Sequence, residues 1–170
     1  MFIQSKFLKN NDDPLTPLDM AVINDLNSGD CNGKLKVNDT HQLIEVLKRV
    51  YKVYETNKIS WQTANYNWID TTNVTVMLNL FQNAFGAKRS EFNGDISQWN
   101  TCNVRNMIGA FEGCRSLKCD ISNWDVSSVK LWDSGTYADT NQRFKEYCKI
   151  LEGKIKKNGK YAIRSLRRPI

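Results

Sequence analysis

One histidine, five cysteines, two Asn-X-Thr sequons and a run of basic residues are the groups in this chain whose type and spacing admit chemistry. A nucleophilic triad needs a general base. His41 is the sole histidine, and it sits among polar neighbours at the start of a helical pattern with no Ser or Cys marked as its partner. It reads as a surface or capping residue. Cys114 and Cys119 are spaced C-x4-C with Cys102 near them in sequence. A zinc site usually needs four ligands in recognisable pairs, and Cys114 occupies a small-residue position where a buried thiol packs well. Asp25, Asn27 and Asp30 suggest a calcium loop only faintly, because Lys36 stands where a Glu is needed. The sequons Asn38-Asp-Thr40 and Asn73-Val-Thr75 matter only on a secretory route, and Asn73 also suits a turn. No Gly-rich phosphate loop is present. The expectation is no catalytic residue, no metal and no cofactor.

The basic residues are concentrated at one end. Lys154, Lys156, Lys157, Lys160, Arg164, Arg167 and Arg168 lie between Gly153 and Ile170 with no acidic residue among them. Subtracting these seven from the net charge of +6 leaves residues 1–152 at −1. Such a tail suits an acidic protein surface, nucleic acid or anionic lipid, and Tyr161 within it offers one base-stacking ring. The seven residues are therefore the candidate partner-binding set.

Hydrophobic residues make up 41% of the chain, which excludes disorder of the whole. The odd cysteine count does not suit a closed disulfide framework. The first residues turn charged too soon for a secretory signal. No stretch approaches the roughly 20 apolar residues of a membrane span. These features favour a reducing compartment with free thiols.

The elements that would position partner contacts follow from periodicity. Residues 1–34 read as an irregular arm, with a short helix from Pro17 to Leu26. Residues 35–68 read as a capping helix and linker. Asp39 or Thr40 caps the helix, Leu43, Val46, Leu47, Val50 and Tyr54 form its apolar stripe, and Glu45, Lys48, Arg49 and Lys52 form its outer face. A second helix, from about Thr140 to Lys157, carries Phe144, Tyr147, Cys148 and Leu151 on one face, so residues 136–170 read as a C-terminal helix and basic tail.

Residues 69–135 repeat. Ile96-Ser-Gln-Trp99 returns as Ile121-Ser-Asn-Trp124, 25 residues later, and Val74, Val104 and Val129 align. Met77 and Phe81 match Met107 and Phe111, and Leu117 leads back into the next copy. The first copy is five residues longer, around Phe85-Gly-Ala-Lys-Arg89, where a loop bulge fits. A period in the twenties suits stacked units that cannot bury their apolar faces alone. Alternation in Asp95–Trp99 and Asp120–Trp124 suggests an extended segment, and Val104, Met107, Ile108 and Phe111 suggest a short helical turn.

Phe92-Asn-Gly-Asp-Ile-Ser-Gln-Trp99, followed by Val104, Met107 and Phe111, resembles the BspA-like repeat of mycoplasma surface lipoproteins, as does Ile69-Asp-Thr-Thr-Asn-Val-Thr-Val-Met77. The resemblance covers about residues 39–132, and Leu131-Trp132-Asp-Ser-Gly135 departs from its Met and Phe positions. It implies an α+β fold: a short leucine-rich-repeat-like solenoid of about three coils, capped by an amphipathic helix at each end. Its core would be Val74, Met77, Phe81, Ile96, Trp99, Val104, Met107, Phe111, Leu117, Ile121, Trp124 and Val129. It implies partner binding and no catalysis, in bacterial surface proteins, some protists and large DNA viruses. With free thiols and no signal, the expectation is a minor capsid or other virion component, made in the host cytoplasm, that bridges larger subunits. The alternatives are a bacterial surface adhesin or host-binding repeat module, and a nucleic-acid-associated protein acting through the tail.

Overall fold

The computed structural model describes residues 35–56 and 58–158. The expected arm at 1–34, its short helix, the calcium-like loop, Cys31 and the tail positions Lys160, Arg164, Arg167 and Arg168 lie outside the described residues.

Strand β1 (Leu35–Lys36) pairs in parallel with β2 (Ile69–Asp70), with Leu35 opposite Ile69. Leu35 and Val37 are buried and Lys36 is exposed, as the pleat requires. Helix α1 (Thr40–Thr56) follows. Asp39 starts it: its Oδ1 accepts from Gln42 N at 2.8 Å, and Gln42 Oε1 accepts from Asn38 N at 2.8 Å. The first bond satisfies a donor that the first turn leaves orphaned, and the second ties the residue before the cap back to the helix. Leu43, Val46, Leu47, Val50, Val53 and Tyr54 face inward. Arg49 departs from the expected outer face, since it is only 5% exposed.

Helix α2 (Leu80–Phe85) runs into a 3₁₀ segment, Gly86–Glu91, where the loop bulge was expected. Gly86 enters that segment at φ 55, a left-handed angle that suits glycine. A second 3₁₀ segment spans Ser134–Tyr137, and α3 spans Gln142–Lys157. Asn141 caps α3 by accepting from Phe144 N at 3.0 Å. Phe144, Cys148, Leu151 and Ile155 are its buried face.

The expected α+β solenoid of about three coils, with a helix capping each end, is not the architecture. Regular structure among the described residues amounts to three α-helices, two short 3₁₀ segments and one two-stranded parallel sheet. Asp95–Trp99 and Asp120–Trp124 form tight turns rather than strands, and residues 107–113 form turns rather than a helix. Hydrogen-bond accounting explains the difference. Each turn closes on a side-chain oxygen two residues back, which takes N–H groups that a strand would present to a neighbour. Gly109 and Gly113, at φ 66 and 78, interrupt the helical spacing of the second copy. The copies meet instead through isolated parallel bridges, Asn65 with Asp95, Val76 with Asn106, and Asn106 with Leu131.

Burial and ring contacts hold these turns together. Phe81 lies 4.7 Å from Phe92 and 5.7 Å from Phe111, and Phe111 meets the edge of Phe144 on α3 at 5.0 Å. Each such pair of rings contributes roughly 0.5–1.5 kcal/mol beyond its buried area.

Candidate interaction surface

The turns that replace strands also build a regular polar surface. Two columns of side-chain-closed turns run across the repeats. In the first, Asn65 Oδ1 accepts from Asn67 N at 2.8 Å, Asp95 Oδ1 from Ser97 N at 3.0 Å and Ser97 Oγ at 2.7 Å, and Asp120 Oδ1 from Ser122 N at 2.9 Å and Ser122 Oγ at 2.6 Å. In the second, Asp70 binds Thr72 N at 3.0 Å, Asn100 binds Cys102 N at 3.1 Å and Asp125 binds Ser127 N at 2.9 Å. These are Asx turns, in which a short polar side chain mimics a backbone acceptor.

Between the columns the layers are tied together. Trp99 Nε1 donates to Tyr66 O at 2.9 Å, and Trp124 Nε1 to Ile96 O at 3.2 Å. Thr71 Oγ1 donates to Asn100 O at 2.9 Å, and Thr101 Oγ1 to Asp125 O at 2.8 Å. Thr71 and Thr101 are buried, and their hydroxyls fill the acceptors of the next repeat.

A groove of about 450 Å³ lies between the columns, walled by Gln98, Asn100, Asp120, Asn123 and Asp125. The indoles of Trp99 and Trp124 form its floor, each 3% exposed and stacked 6.3 Å apart. The carboxylates beside it are held in the charged form. Partial burial pushes Asp95 up, but bonds from Ser97, Asn67 and Cys119 outweigh that and lower its pKa. Bonds from Ser122 lower Asp120, and bonds from Ser127 lower Asp125. Asp120 and Asp125 share the groove with amide side chains, and Arg143 and Lys154 act on them from nearby, so the groove is polar and rich in amides and suits a partner with charged and hydrogen-bonding groups.

The sequence-derived residues fall into two sets. Val74, Met77, Phe81, Ile96, Trp99, Val104, Met107, Phe111, Leu117, Ile121, Trp124 and Val129 are all buried and come together in one core. The basic set is only partly described. Lys154, Lys156 and Lys157 belong to the last turns of α3. Lys154 Nζ donates to Ser122 O at 2.6 Å and Lys156 pairs with Glu152 at 2.9 Å, so these two are engaged within the chain.

His41 is exposed at the start of α1. Cys114 and Cys148 are buried. Burial pushes the Cys114 thiol up to about 12 against the pull of nearby Arg89, and Cys119 up to about 11. Such thiols are poor nucleophiles at neutral pH. Among the described residues no group of three or more His, Cys, Asp or Glu is placed to hold a metal ion. No helix among them is long and apolar enough to cross a membrane.

A family described as "Mycoplasma protein of unknown function, DUF285" matches residues 45–152, more than half of the chain. The chain belongs to this family. The DUF285 match supports the mycoplasma-type part of the resemblance and is specific neither to leucine-rich repeats nor to viral proteins. No curated protein and no solved structure matches the chain.

The two columns of Asx turns are the surface feature that sequence reasoning missed. The signal was available: an acceptor two residues before Ser or Thr, repeated at Asp70, Asp95, Asp120 and Asp125. Alternation of apolar residues drew Asp95–Trp99 toward a strand, whereas local side-chain bonding decided the conformation.

Proposed function

We propose that this chain is a non-enzymatic interaction module that docks a protein partner in the groove between its two Asx-turn columns. The observation that carries this reading is the groove itself, a carboxylate- and amide-lined surface built on turns that repeat in adjacent units. Its carboxylates are engaged in closing turns, and the described thiols with raised pKa values are poor nucleophiles, which supports binding rather than catalysis. The mycoplasma description of the family favours the setting of a bacterial surface module related to BspA-like repeats. The test is a photo-crosslinking residue placed at Gln98 or Asn123 in cells of the source, against a control at Lys48 on the exposed side of α1. A partner captured at the groove and absent at Lys48 supports the reading. Equal capture at all three positions, or none at the groove, refutes it.

The second setting is a minor capsid or other virion component bridging larger subunits. The four described cysteines are free, which suits assembly in a reducing host cytoplasm. Protease treatment of intact cells separates the settings. A surface module is cleaved on whole cells, whereas a virion component is protected there and co-sediments with particles. A nucleic-acid role through the tail predicts binding that falls steeply as salt rises.

A further inference from the structure

Past the Asp125 turn, the chain enters a second small cavity of about 210 Å³, lined by Arg105, Ser127, Ser128, Val129 and Lys130. No carboxylate lines it. The bridge between Asn106 and Leu131 places Arg105 and Lys130 in register on adjacent segments. Neighbouring segments in such pairing lie about 4.8 Å apart. The backbone there is firmly held: Arg105 N donates to Thr75 O at 2.8 Å, and Arg105 O accepts from Lys130 N at 2.8 Å and Leu131 N at 3.0 Å. Two like charges directly opposite each other destabilise a pair. Both side chains are exposed, and among the described residues neither forms an ion pair. Elsewhere Lys48, Lys88, Arg115, Lys149 and Lys156 each meet a carboxylate. Of the two acids that flank this segment in sequence, Asp125 is engaged by Ser127, and Asp133 stands at the N-cap of the Ser134–Tyr137 segment.

We propose that Arg105 and Lys130, with the Ser128 hydroxyl, form a binding site for one phosphoryl group, either free phosphate or the terminal phosphate of a lipid headgroup. A dianion between the two cations removes their repulsion and accepts charge-assisted hydrogen bonds from a guanidinium and an ammonium. Ser128 adds a neutral donor. The site is separate from the docking groove and does not depend on it.

The experiment is an amide NMR titration of the full chain with inorganic phosphate at constant ionic strength, with chloride as the control. Vesicles of phosphatidylcholine with and without phosphatidic acid form the second arm. Saturable shifts at Arg105 and at Ser127 to Lys130 are expected with phosphate and not with chloride. Arg105→Gln and Lys130→Gln should each weaken binding about tenfold, the effect of one lost charged hydrogen bond. Both side chains are exposed and each substitution relieves their repulsion, so the variants should unfold at or above the wild-type temperature, which is measured alongside. Binding of phosphate alone assigns the site to the free ion, and binding of phosphatidic acid vesicles alone assigns it to the headgroup. Linear or chloride-equal shifts together with no added binding to the phosphatidic acid vesicles, or unchanged affinity in both variants, would overturn the proposal.

Discussion

Replacing Asp95 tests whether the turns, rather than strands, define the repeats. Asp95 Oδ1 accepts from Ser97 N at 3.0 Å and Ser97 Oγ at 2.7 Å, with a weaker contact from Cys119 Sγ at 3.7 Å. Removing a side-chain cap of this kind costs roughly 0.5–2 kcal/mol, typically about 1. Asp95→Ala should therefore lower stability by about 1–2 kcal/mol, because the backbone N–H of Ser97 loses its acceptor. In a chain of this size that corresponds to a fall in Tm of about 3–6 °C. Asp95→Asn should cost less than half as much, because Asn65 and Asn100 make the same turn bond in neighbouring positions. The two variants also separate charge from geometry. The folded-state pKa of Asp95 is lowered, so its ionic contribution is present above the unfolded value of about 3.9 and is lost as pH falls through the lower folded value. The asparagine variant lacks that loss. Urea unfolding followed by tryptophan fluorescence at pH 7 and pH 3 measures both effects, with an unchanged m-value showing that the same surface unfolds. An alanine variant as stable as wild type, or an asparagine variant as damaged as alanine, would refute the reasoning.

Trp99→Phe removes the Nε1 bond to Tyr66 O and part of a ring that is 3% exposed. Tyr66 O keeps the Ile69 N–H at 3.2 Å, so the expected loss is about 1–3 kcal/mol, rather than the larger cost of truncation to Ala, read from urea midpoints. Gly109→Ala forces a Cβ against Asn79 Oδ1 at φ 66, and should destabilise by at least about 1 kcal/mol by thermal unfolding. Glu152→Gln weakens a carboxylate that accepts from Trp132 Nε1, Tyr137 OH and Lys156, and should speed amide exchange in α3 before it does so in α1. Cys114 and Cys148 should react with a thiol reagent only at the rate of unfolding, while partly exposed Cys102 reacts in the native state.

Much of the candidate surface was within reach of the residue pattern, and the rest was not. The spacing of Asp95 to Ser97 and Asp120 to Ser122 is a local signal, because an Asx turn closes within three residues. The burial of Arg49 had no such signal, since it depends on what packs over α1. The pairing of Arg105 with Lys130 depends on register between segments 25 residues apart.

The amino-acid sequence by itself determined the period, the apolar stripe of α1 and the residues that make up the core, because each follows from spacing along one segment. The tertiary structure alone decided that the repeats would be turns joined by isolated bridges and not coils of strand and helix. Whether a backbone N–H bonds to its own side chain or to a neighbouring segment is a competition settled by geometry between repeats. Here Asp95, Asp120 and their equivalents win it locally, and Trp99, Trp124, Thr71 and Thr101 supply the contacts between layers that a continuous sheet would have made.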